Sequence, residues 1–240
     1  MASRSGTHPQ LKTPLVREAL LEIRFSSSPD LPYGIVPGRL YEALKTQFAK
    51  PVELPLAKIP AEFGLDEVVR HRFLSDDESR MFQVGTGVLS INHIAYRGFQ
   101  RFSADCEQVL KVAIEEIKLI AEIKRIGLRY INKAPLDRAW QEMIQLRITA
   151  PDIVESSAQV RLHRWLTGFP DIGVLSTTIA WPVKEQDSAV IVIDFDHYTE
   201  PASVLTVNQI MTWVDSAHEN IYQVFKASLM PVYFSQLMEG

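Results

Sequence analysis

Along EALLEIRFSSSP, residues 18–29, the apolar Leu21, Ile23 and Phe25 alternate with Glu22 and Arg24, the two-residue period of a half-buried strand. The first strand therefore has a wet face. After a Pro- and Gly-rich turn the period changes, and VPGRLYEALKTQFAK sets Leu40, Leu44 and Phe48 on one helical stripe with Pro37 in the first turn. PVELPLAKIPAEFG carries Pro51, Pro55 and Pro60, which predicts an extended surface segment without a regular element. EVVRHRFLSDDESRMFQVGTGVLSINH predicts a strand, a hairpin turn around Asp76 and Asp77, and a strand or strand pair interrupted at Gly85 and Gly87.

SADCEQVLKVAIEEIKLIAEI is the first strong helix, with Ser103 as its cap, Asp105 and Glu107 at its positive end, and a stripe of Leu110, Ala113, Ile114, Ile117 and Ala121. RIGLRYINK, residues 125–133, follows as a strand. The order β-α-β-β-α-β over residues 13–134 predicts a ferredoxin-like half, and residues 1–12 a flexible tail. In residues 135–240, IQLRITA, AQVRLHRWL, VLSTTIAWPV and AVIVIDFDHYT predict an antiparallel meander. A long C-terminal helix closes it, with Ile210, Trp213, Ala217, Ile221, Val224 and Phe225 at three- and four-residue spacing. The fold class is thus α+β in two halves, which one continuous domain can hold.

Composition narrows the function only a little. A net charge of −4 means that nucleic-acid binding would need a local basic face. No window approaches a membrane span and MASRSGTHPQLK lacks an apolar leader core, so a cytoplasmic protein is expected. A single cysteine, Cys106, excludes a disulfide framework and fits a reducing compartment.

Candidate chemistry centres on RIGLRYINK. Alternation sends Ile126, Leu128 and Tyr130 to one face and Arg125, Gly127, Arg129, Ile131 and Lys133 to the other. Arg24, Arg70, Arg72, Arg147 and Arg161 on neighbouring strands can extend that basic face, and Gly127 leaves room for a ligand or a second backbone. Arg125, Arg129, Lys133 and Arg147 are accordingly the candidate ligand-binding residues, for a phosphate-bearing ligand or a protein partner. The competing expectation is that these cations pair with Glu22, Glu67 and similar carboxylates across the sheet.

In VIVIDFDHY, Asp194 and Asp196 share a strand face at roughly 7 Å by strand rise, the arrangement of a Mg²⁺ pair in phosphoryl transfer. The histidines lack a zinc-like spacing, and Cys106 has acidic neighbours that oppose a thiolate. No nucleophile elbow, Walker sequence or dinucleotide fingerprint occurs, and GTG at 85–87 reads as a bulge or turn. Trp140, Trp165, Trp181 and Trp213 read as core or interface anchors, with Arg161, His163 and Trp165 a face able to stack a base.

PLVREALLEIRF, FQVGTGVLSINH, IKRIGLRYINK and VIVIDFD resemble a sporadically distributed family of bacterial proteins. That resemblance implies a bacterial cytoplasmic protein and carries over no catalytic residues. The function expected is a non-catalytic binding or assembly module with a basic sheet face, forming a homodimer and needing no cofactor. The alternatives are a metal-dependent phosphoryl-transfer or nuclease-like enzyme using Asp194, Asp196 and Mg²⁺, and a protein–protein adaptor of an accessory or defence cassette.

Overall fold

The computed structural model describes residue 8 and residues 11–59, 67–146, 161–185 and 187–239. The strands are β1 (Val16–Ser27), β2 (Lys50–Glu53), β3 (Val69–Leu74), β4 (Arg80–Gly85), β5 (Val88–His93), β6 (Ile120–Pro135), β7 (Arg161–Phe169), β8 (Gly173–Glu185) and β9 (Ser188–Thr199). The helices are α1 (Val36–Leu44), α2 (Phe99–Leu110), α3 (Val207–Ser228) and α4 (Pro231–Glu239). One nine-stranded antiparallel sheet runs in the order β2-β3-β4-β5-β1-β6-β9-β8-β7, so the fold is α+β. The chain divides into two compact units, Glu18–Arg129 with Tyr198–Val214, and Met1–Arg17 with Tyr130–His197 and Asp215–Gly240.

In the Glu18–Arg129 unit, alternation fixes which side chains are buried. Leu21, Ile23 and Phe25 of β1, Phe82 and Val84 of β4, Leu89 and Ile91 of β5, and Ile126 and Leu128 of β6 are all buried. Helix α1 adds Leu40 and Leu44, and Phe48 follows it, edge-on to Phe82 at 5.2 Å, which is itself stacked on Phe73 at 4.5 Å. Full burial of each such side chain stabilises the fold by about 1.5–3 kcal/mol. Helix α2 supplies Phe102, Cys106, Val109 and Leu110.

In the other unit β7 and β8 form a hairpin, Arg161 opposite Trp181 and Phe169 opposite Gly173. Ile179, Trp181, Ile191, Ile193 and Phe195 of the strands and Ile221 and Phe225 of α3 are buried, with Phe195 and Phe225 edge-on at 6.3 Å. The order β9-β8-β7 is the expected meander, and α3 is the expected long helix.

Several expectations are corrected. The first half holds one further strand, β2, before its acidic hairpin, whose turn at Asp76 and Asp77 joins β3 to β4. The proline-rich segment forms β2, whose four residues are all exposed and pair with β3, Pro51 opposite Phe73. An outermost strand tolerates proline because one edge has no ladder bond to donate. Helix α2 starts at Phe99 after Gly98, whose φ of 108° suits glycine, so Ser103 lies inside the helix and caps nothing. It ends in a π-helical turn, Lys111–Glu116, where Leu119 N–H donates to the Ala113 carbonyl at 2.8 Å and Lys118 takes φ 53°. Ala121 is therefore an exposed residue of β6. Pro231 opens a fourth helix, a first-turn position that proline favours.

The predicted tail lies mostly outside the described residues. His8 stacks on Tyr222 at 3.5 Å, and Lys12 donates to the Glu239 carbonyl at 2.8 Å. Much of the predicted strand IQLRITA also lies outside them, and Ile144 forms a lone bridge with Leu229. No described helix is long and apolar enough to cross a membrane.

Candidate binding cleft

The face of β1, β3, β4 and β5 opposite the helices is a hydrogen-bonded lattice. Arg72 Nε donates to Gln83 Oε1 at 2.9 Å, Gln83 Nε2 to Ser90 Oγ and Asn92 Oδ1 at 3.2 Å each, and Asn92 Nδ2 to Glu18 Oε1 at 2.9 Å. The register dictates this, because Arg72 opposes Gln83, Gln83 opposes Ser90, and Ser90 opposes Glu22. Such cross-strand contacts are the unit of sheet stabilisation.

The basic strand meets the same treatment. Glu22 Oε1 accepts from Arg24 Nε at 2.9 Å and from Arg125 Nη1 at 3.3 Å, and Glu67 Oε2 accepts from Arg24 Nη1 at 3.0 Å. The bond to Glu22 is the main cause that raises the Arg24 pKa. The Arg125 guanidinium carbon lies 4.9 Å from the Tyr198 ring centroid. Gly127 explains the geometry: a Cβ there would stand 2.5 Å from Arg125 Nη1. The space that glycine leaves is filled by the neighbouring arginine.

The other candidates lie on β6 and β9 or outside the described residues. Arg129 is half-buried in β6, Lys133 pairs with Glu185, and Arg147 lies outside the described residues. Asp194 and Asp196 are half-buried on β9, alternating with buried Phe195 and His197. Among the described residues no group of three or more His, Cys, Asp or Glu side chains is placed to hold a metal ion. Arg70 is the extra residue of a bulge between Val69 and His71; it is buried and donates to the Leu56 carbonyl at 3.3 Å and to that of Ile59.

Helix α2 brings together a cluster that the sequence did not suggest. Asp105 Oδ2 lies 2.8 Å from both Arg80 Nη1 and His93 Nε2. Burial alone would raise the Asp105 pKa, but the bonds from His93 and Arg80 outweigh it and hold the carboxyl below the usual range. Next to it Cys106 is fully buried, and burial pushes its thiol well above the ordinary value. That is an inert structural cysteine.

A cleft of about 330 Å³ opens at the end of the same strands, lined by Ser26, Leu31, Tyr33, Thr86, Leu119 and Lys124, with Phe25, Ser27, Glu67 and Gly87. Its walls are fixed by backbone. Phe25 N–H donates to the Gly87 carbonyl at 3.0 Å, Ser28 N–H to that of Leu119 at 2.9 Å, and Ser27 Oγ to that of Thr86. A Cβ on Gly85 would stand 2.0 Å from the Val68 carbonyl oxygen, so the GTG turn is a place where two backbones close together. Tyr33 Oη donates to the Val84 carbonyl at 3.1 Å and lies 2.9 Å from His71 Nδ1, and burial raises its pKa. The buried Thr86 Oγ1 has no hydrogen-bond partner among the described residues. Lys124 Nζ stands 3.9 Å from Glu67 Oε1, whose carboxylate already accepts from Arg24.

The sequence marked this cleft only through GTG; Ser26, Tyr33 and Lys124 each lay in separate elements with no shared motif. No family model matches the chain, and no curated protein matches it in sequence.

Proposed function

We propose that the chain is a non-catalytic binding module whose site is the cleft at the ends of β1, β5 and β6. The observation that carries this is a cleft with backbone-bonded walls that brings together Lys124, a buried hydroxyl without a partner, and the half-buried Leu31 and Tyr33. Ligand sites combine apolar walls with a few placed polar groups, and in this cleft the polar share of the lining is the larger. The Arg125 face then serves to hold the sheet and to set the cleft's rim through Glu67. The accompanying scaffold reading is a ferredoxin-like core of β6-β1-β5-β4 with α1 and α2, extended by β2 and β3; the strand order and the hairpin joining β4 to β5 support it. Cytoplasmic residence, a homo-oligomeric state and kinship with the bacterial family belong to the same proposal.

Native mass spectrometry of gently purified protein tests it. A small-molecule adduct on the wild type that is lost in Lys124→Met is expected. Bare protein in both forms contradicts the cleft as a binding site.

A further inference from the structure

We infer that the ligand of this cleft is a small organic anion, a carboxylate or phosphate monoester on an apolar body of about one ring. The inference rests on the cleft being the site, and adds the chemical class. Three observations carry it.

The first is the cation. Lys124 is half exposed at the rim, and its nearest carboxylate oxygen is 3.9 Å away, beyond ordinary hydrogen-bond length. Glu67 is committed to Arg24 at 3.0 Å, so an incoming anion can take Lys124 without breaking that bond. The second is the supply of neutral donors. Ser26 and Thr86 are polar residues of the lining, and the enclosed Thr86 Oγ1, which has no partner, gains a bond when its side chain turns to an acceptor in the cleft. Ionised acceptors form the stronger bonds to such donors.

The third is the remaining wall. Leu119 and Phe25 are already almost wholly buried, whereas Leu31 and Tyr33 are half-buried and keep exposed surface from which an apolar body displaces water. A cavity of about 330 Å³ stands at the small end of ligand sites, which fits one ring with a short acidic arm. Inorganic phosphate would satisfy the donors and leave the apolar wall wet.

Isothermal titration calorimetry of the full chain with 4-phenylbutyrate, phenyl phosphate, neutral 4-phenylbutyramide and inorganic phosphate tests the class, and the two aryl anions separate carboxylate from phosphate. At least one aryl anion is expected to bind tenfold or more tightly than the amide and than inorganic phosphate. Lys124→Met should remove that preference, and Lys124→Arg should keep part of it. Equal binding of acid and amide, heat from neither aryl anion, or unchanged affinity in Lys124→Met overturns the anion class. An adduct that mass spectrometry finds on wild type and loses in Lys124→Met, together with no heat from either aryl anion, leaves the cleft as the site and refutes only its chemistry.

Discussion

The polar face of β1 and β6 and the cleft at the ends of the same strands share Glu67, yet they are built by opposite means. On the face, side chains hold side chains: Arg125 folds over Gly127 to reach Glu22, and Arg24 bridges Glu22 and Glu67. In the cleft, backbone holds backbone: Gly85 packs against Val68, Gly87 bonds Phe25, and Leu119 bonds Ser28. A side-chain lattice yields when one member changes, because long flexible groups swing into water. A backbone-built wall has no such freedom, which is what a preformed binding site needs.

Gly85→Ala should break that difference most severely. Its Cβ meets a backbone oxygen at 2.0 Å, so the β4–β5 turn must move; a loss of about 2–3 kcal/mol in urea unfolding is expected. Glu22→Ala removes the acceptor of Arg24 and Arg125 together. These groups are partly solvated, so about 1 kcal/mol is expected, and a cycle with Arg125→Ala should reveal their coupling.

The second unit sharpens the contrast through pH. Burial brings His197 down to about 4 and His218 to about 3, whereas both bind a proton near 6.5 when unfolded. Their contribution is fully present above pH 6.5 and is lost as pH falls through 4 and then 3, with a slope of up to about 1.4 kcal/mol per unit for each. Urea midpoints should fall between pH 7 and pH 5, and less so in a His197→Asn, His218→Asn variant.

Gly127→Ala should cost well under 1 kcal/mol, because the atom in the way is the end of a flexible arginine. Its signature is loss of the Arg125–Glu22 coupling with the fold intact. Thr86→Val should leave stability unchanged or slightly raised, since a buried hydroxyl without a partner becomes a methyl. It should nevertheless weaken ligand binding.

Periodicity made β1, β6, β9 and α3 legible, because each carries an uninterrupted stripe. It misled where backbone conformation overrules side-chain pattern: the Leu110–Ala121 stripe continues past the point where Lys118, at φ 53°, ends the helix. Pro51 argued against a strand that exists because only one of its edges needs a partner. The basic face was legible as a face, but its partner Glu22 lies 103 residues from Arg125, and register alone decides that they meet. The cleft was the least legible, since Ser26, Thr86 and Lys124 converge only through the pairing of β1 with β5 and the turn before β6.

The most direct test of the account is an amide chemical-shift titration of the 27.2 kDa chain with the tightest aryl anion. Shifts centred on Ser26, Thr86, Gly87 and Lys124, with Gly127 and Arg129 unmoved, are the expected result. Shifts centred on Arg125, Gly127 and Arg129, with the cleft silent, would return function to the basic strand and contradict the account.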